Sequence, residues 1–482
     1  MSTVLISCKS SQEAATKKES VGINVGYMDK SVNPADDFNR YVNGTWLDKT
    51  QIPADRTRWG SFDELRKNTD DDVMAILKEA INDKTIDPNS DQAKAINLYK
   101  SVLDTVTRNK QGIEPLKPYL TKINAVKNAD QLVALLAEME PEMGLGFFGS
   151  YIGADAKNSN KNVIYVGTGS LGLPDRDYYV SDAPDNKEKR EKYVAHVTRM
   201  LQFIGESEAT ANANAKKILV LETKMSTATL DRVQRRDRRN TYNPMSFADL
   251  QKLAPTVKWD SYFQTVGMGK VDSLVVSQPK YLQTIETILK DNQVEDWKAY
   301  MRWTALRGSA GLLSTDIENA NFDFYGKTLT GAVKQRPAEE RALATVNGRL
   351  GEALGKLYVA KKFPPEAKEK AQAMIANVMK AFDNRIDNLP WMTKATKGNA
   401  KIKLNKFRVK IGYPDKWKDY SELQVKSPEQ GGTYFDNSRM YARWSHKKNI
   451  EKMGKPVDKE EWGMSPQTVN AYFSPTNNEI VF

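Results

Sequence analysis

A chain of 482 residues, 40% hydrophobic and 28% charged, is too long for one compact core but has an ordinary globular composition, so two or three domains are expected. Lys and Arg exceed Asp and Glu by 72 − 61 = 11, which suits anionic partners, yet no nucleic-acid motif accompanies the excess. One cysteine excludes an intrachain disulfide framework, and no window approaches the roughly 18 apolar residues of a membrane-spanning helix.

The chain begins with "VLISCKSSQEAATKKES", in which Leu5, Ile6 and Ser7 stand directly before Cys8 and a Lys-, Ser- and Glu-rich stretch follows. This resembles a bacterial lipobox, whose cysteine becomes the lipidated first residue. The polar stretch then reads as a disordered tether from a membrane surface. Only seven residues precede Cys8, with no basic region. That reading therefore requires a start upstream, and the alternative is a chance apolar tetrapeptide.

From about residue 33 the chain reads as structured. Asn33-Pro34-Ala35-Asp36 is a helix-start signal, followed by Phe38, Tyr41 and Trp46 and then a proline-containing loop. A longer helix is predicted over Ser61 to Asn82, with Leu65, Val73, Ile76 and Leu77 on one side. "NVIYVGTGSLGLPDRDYYV" places Gly167, Gly169 and Gly172 in a GxGxxG pattern after a strand-like run. A dinucleotide site would need a helix opening at the last glycine. Leu173-Pro174-Asp175 is turn chemistry instead, so the motif reads as a glycine turn.

Further on, Leu343, Val346, Leu350, Leu354 and Leu357 recur at helical spacing until Pro364-Pro365 stops the run, and a new helix begins after it. The basic run "KATKGNAKIKLNKFRVKIGYPDKWK" reads as the wet face of a helix leading into a half-buried strand through Phe407, Val409 and Ile411. The only histidines are His196, expected in a helix beside Tyr193 and Met200, and His446, expected to be solvated. Two isolated histidines do not make a zinc site. With Cys8 assigned to lipidation, no recognisable catalytic machinery remains.

Several runs together resemble the neprilysin and endothelin-converting-enzyme family of zinc metallopeptidases, including its bacterial oligopeptidase members. They are "DDFNRYVNGTWL", "IPADRTRWGSFDEL", "GLPDRDYYV", "GEALGKLYVAKKFPPEAK", "VKIGYPDKW" and "SPQTVNAYFSPTNNEIVF", in family order from about residue 24 to the end. The resemblance implies a mainly α-helical, two-lobed protein. A large helical lobe (71–394) would cover a cleft, and the catalytic lobe, thermolysin-like with a few short strands, would begin in 24–70 and 395–482, after a signal and tether in 1–23. In the family a zinc-binding HExxH helix follows the segment that resembles the end of this chain. The expectation is therefore an N-terminal fragment that keeps substrate-holding elements, carries no metal ligands and is inactive alone. Zinc would belong to the complete enzyme, and a separate C-terminal catalytic half is a possible partner.

By the same resemblance Asn470, Ala471 and Tyr472 would form the edge segment that bonds the main chain of a peptide substrate. Arg58 and Asp63 would position the substrate's C-terminal end, with Phe62 near the first primed-side pocket and Arg66 beside them. Without the resemblance the residues would be read as an ordinary edge strand and a salt bridge at a helix start. The missing disulfides point to the bacterial branch and, with Cys8, to a lipid-anchored protein of the cell envelope acting on peptides rather than nucleic acid. The rival expectation is a peptide-binding surface lipoprotein without catalysis.

Overall fold

The computed structural model describes residues 22–291 and 293–482, so Cys8 and its flanks lie outside the described residues. Nineteen α-helices against seven strands of three to seven residues make the described chain mainly helical, as expected. Its residues fall into two compact units, one ending at Pro53 and the other running Ala54–Phe482.

In the first unit, a single helix Phe38–Lys49 starts later than the Asn33 signal suggests. Asn33 instead caps a turn through the Ala35 N–H, and Asp37 caps the helix by accepting from the Arg40 N–H. The helix packs on the preceding segment at Gly44, where an added Cβ would stand 2.5 Å from that of Asp29. Thr45 Oγ1 donates to the Met28 carbonyl at 2.7 Å.

The larger unit is built on helices whose apolar faces meet in one core containing the fully buried Trp259, Trp297 and Trp303. The helix Ser61–Asn82 has the predicted bounds and buries Val73, Ile76 and Leu77. Its first turns stand clear of that core, leaving Phe62 66% and Leu65 52% exposed. Helix Ala338–Lys362 packs against Asp91–Leu103, kinks at Leu350 and ends before Pro364; the next helix runs Pro365–Asp387.

Two sheets are present among the described residues. The first contains β1 (Phe148–Ala154), β2 (Asn162–Thr168), β3 (Asn243–Ser246) and β4 (Ser273–Val276) in the order β1-β2-β4-β3. The second is small: β5 (Arg408–Lys410), β6 (Tyr472–Ser474) and β7 (Glu479–Val481), in the order β5-β7-β6. Here β5 runs parallel and β6 antiparallel to β7. Helix Lys394–Asn405 precedes β5, so the lysine-rich run is a helix and strand as read from its spacing.

The loop before β6 is fixed by the glycine face of helix Ala338–Lys362. Gln467 donates to the Gly351 carbonyl at 2.9 Å and to Asn347 at 2.7 Å. A Cβ on Gly355 would meet Pro466 at 2.8 Å, so only a residue without one lets the loop lie this close. Beneath the sheet the buried Lys410 and Glu479 form an ion pair at 2.9 Å, joining β5 to β7.

A candidate peptide cleft with one open strand edge

A cavity of about 1290 Å³ in the larger unit is bordered by Tyr472 and Ser474 of β6, by Glu479 of β7, and by the β1–β2 hairpin. Tyr151 and Tyr165 of that hairpin stack at 5.2 Å and 8°, and Trp417 and Trp444 contribute further aromatic surface. Four of the seven carboxylates of the lining are already engaged: Glu461 with Lys452, Glu451 with Lys448, Glu460 with Arg408, and Glu479 with Lys410.

Hydrogen-bond register decides what β6 offers to this space. Phe482 N–H donates to the Lys410 carbonyl, and the Asn478 and Phe482 carbonyls accept from β5 and from Gly412. Even-numbered residues of β7 therefore face β5, and Glu479 and Val481 face β6. Their partners are Ser474 and Tyr472. By alternation, the N–H and C=O groups of Ala471 and Phe473 point away from the sheet along its free edge. Both outer strands keep an unpaired edge, but of the two only β6 borders the cavity. The opposite wall is closed to strand addition, because the Asn449 amide pairs with Ile152 N–H and C=O of β1 at 2.8 and 2.9 Å.

The edge residues are placed as follows. Asn470 and Ala471 are exposed, and Asn470 Oδ1 accepts from the Ala471 N–H at 2.9 Å. The Tyr472 ring turns inward to line the cavity, and its hydroxyl is taken by the Gly463 N–H at 3.0 Å. The second set gathers at the start of helix Ser61–Asn82. Asp63 stands between Arg58 at 3.6 Å and Arg66 at 3.8 Å, beside the exposed Phe62. The Arg58 side chain is 73% exposed, so these ion contacts contribute under about 1 kcal/mol to stability. Of the seven residues only Tyr472 lines the cavity.

The glycine pattern in β2 and its turn is fully consumed by the fold. Gly169 N–H donates to the Tyr281 hydroxyl, and Gly172 N–H donates to Glu222 at 3.0 Å. A Cβ on Gly169 would fall 1.4 Å from the Gly146 carbonyl oxygen. The Gly169 and Gly172 N–H groups are thus spent on Tyr281 and Glu222, and no helix opens at the last glycine.

Neither histidine fits a zinc site. His196 is buried, stacked on Phe324 at 4.7 Å, and its Nε2 has no partner. His446 is half-buried rather than solvated as expected, because its Nε2 donates to the Val266 carbonyl at 2.8 Å. Among the described residues no three His, Cys, Asp or Glu side chains gather as a metal would require.

Residues 34–414 match the model of Peptidase family M13. The chain belongs to that family. Neprilysin-3 of Drosophila melanogaster is 31% identical over 479 residues, spanning 94% of this M13 chain and 60% of its own length. Human endothelin-converting enzyme 1 is 28% identical over 475 residues, with 94% and 60% covered. The chain thus spans about 60% of the length of these curated relatives. The zinc metalloprotease Zmp1 of Mycobacterium tuberculosis, solved in complex with inhibitor, superposes with a TM-score of 0.88 at 34% identity, covering 96% of this chain and 69% of that one. PepO of Lactobacillus rhamnosis shares the fold at a TM-score of 0.83 and 22% identity.

Proposed function

We propose that this chain is the peptide-holding part of a neprilysin-like zinc endopeptidase, and that the zinc ligands come from residues outside these 482. The observation that carries this reading is the β6 edge: its Ala471 and Phe473 main-chain groups face no neighbouring strand, and Tyr472 and Ser474 of the same strand border the cavity. An extended peptide adds there as a further strand irrespective of its side chains. In this reading Asn470 gives up the Ala471 N–H to the peptide and bonds it through its own amide. Arg58, oriented by Asp63, takes the peptide's C-terminal end.

A second feature supports a missing partner segment. Helix Pro365–Asp387 buries only Ile375 and exposes Met374, Val378 and Phe382 on one face, and Trp391 is 70% exposed. The small sheet likewise leaves Val409, Phe473 and Phe482 in solvent. An apolar helix stripe left in solvent like that of Met374, Val378 and Phe382 suits an interaction face. The remainder of a full-length relative, or a separate catalytic half, would cover it. In the complete enzyme zinc would supply an activated water; the residues present here hold and orient the peptide. Cys8, if lipidated, would tether the protein to the envelope surface.

The test is anisotropy with a fluorescein-labelled peptide of mixed sequence. The chain alone is expected to bind it without cleaving it, and chelator-sensitive hydrolysis by this chain alone would overturn the reading. Phe473→Pro removes one outward N–H while leaving the β7 ladder intact. It is expected to weaken binding roughly five- to tenfold beyond Phe473→Ala, the worth of one main-chain hydrogen bond. Equal affinities for the two variants would rule out strand addition at β6.

A further inference from the structure

Helix Tyr434–Ile450 lines two cavities with different faces. Trp444 and Lys448 face the cleft, whereas Ser438, Arg439 and Ala442 line a second cavity of about 380 Å³. Two guanidiniums meet at this second cavity, and among the described residues neither has a carboxylate within 4.0 Å. Arg439 is only 9% exposed. It donates to the Glu142 carbonyl at 2.8 Å and to Ser309 Oγ at 2.7 Å, while its buried Nε has no partner. Arg349 is half-buried against the Tyr434 and Tyr441 rings and makes one bond, to Ser438 Oγ at 2.6 Å.

The two carboxylates on the wall are already committed. Glu142 holds Arg443 at 2.6 Å and the Tyr119 hydroxyl at 2.5 Å, and Glu140 holds the Ser150 N–H and hydroxyl and the Tyr262 hydroxyl. Burial holds the Arg439 guanidinium below its ordinary value; Tyr119 and the more distant Glu142 charge pull it back, and the Arg349 and Arg443 charges push it further down. A buried cation without a counter-ion is costly, and a bound anion relieves it. Lysine would offer only a point charge. A guanidinium edge offers parallel donors that match the oxygens of a tetrahedral oxyanion.

We propose that this cavity is a binding site for a phosphate-type oxyanion, held by the guanidiniums of Arg349 and Arg439. The volume exceeds that of phosphate itself, so either inorganic phosphate or the phosphate of a small monoester can occupy it. The site is separate from the peptide cleft and stands whether or not that cleft binds peptides.

Isothermal titration at constant ionic strength, with chloride as the background anion, tests it. Inorganic phosphate and phenyl phosphate are titrated in parallel. Saturable one-site binding of either is expected, and the stronger of the two identifies the source. Arg349→Met keeps the aliphatic packing on both tyrosines and should weaken binding at least roughly tenfold, the scale of losing one charged hydrogen-bond donor. Arg349→Lys, which keeps the charge and loses the fork, should lie between the two. No heat from either probe in the wild type would overturn the proposal, as would unchanged affinity in both variants.

Discussion

Replacing Glu222 by leucine is expected to destabilise the fold by about 3–5 kcal/mol, the scale of stripping a buried charged group from its partners. Glu222 is fully buried in helix Glu208–Thr227 and accepts three hydrogen bonds. Gly172 N–H reaches one oxygen at 3.0 Å, and the Tyr179 and Tyr193 hydroxyls reach the other at 2.9 and 2.8 Å. Burial pushes the Glu222 carboxyl up, while Arg307 and the two tyrosines pull it back toward ionisation. Leucine fills similar volume but orphans all three donors. Glu222→Gln keeps one acceptor oxygen and should cost about half as much. Urea denaturation followed by tryptophan fluorescence measures both, and a leucine variant within about 1 kcal/mol of wild type would refute the account.

The second large effect is a pH dependence that originates at His196. Burial holds this imidazole down at about 3, with the Arg199 charge acting in the same direction. Free histidine titrates near 6.5. Between pH 6.5 and about 3 the unfolded chain therefore takes up a proton that the folded chain refuses, and stability falls as pH falls through that range. Above pH 6.5 the contribution is complete and flat. The full swing is up to about 5 kcal/mol, of which about 2 kcal/mol is lost by pH 5. His196→Phe fits the same slot, stacked on Phe324 and edge-on to Trp303 at 5.5 Å, and gives up no hydrogen bond at Nε2. Denaturation at pH 7 and pH 5 should show wild type losing about 2 kcal/mol more than the variant. Parallel losses would place the acid sensitivity elsewhere.

The parts of this molecule that were legible in advance are those set by neighbours in sequence. Helix Ser61–Asn82 follows from its own apolar spacing, Pro364 ends one helix, and Leu173-Pro174 marks the glycine pattern as a turn. What holds that turn was not legible, because Glu222 sits 50 residues from Gly172 in an unremarkable helix. His446 misled for the same reason: the basic run around it suggests solvent, but its partner is a carbonyl 180 residues away. The Asn449 clamp on Ile152 spans 297 residues, and Arg349 and Arg439 meet only in the fold. At the candidate cleft, resemblance supplied Asn470 and Ala471, but only the register of β5, β7 and β6 shows which main-chain groups point outward.

The Asn449 clamp carries a cost on the other side of the cleft. A protein that seals one sheet border with a side-chain amide and leaves β6 bare cannot tell a foreign peptide from a strand of its own kind. The backbone groups of Ala471 and Phe473 are as good a template for aggregation as for ligand capture. Concentrated, ligand-free protein should therefore self-associate through β6, and excess peptide should keep it dispersed.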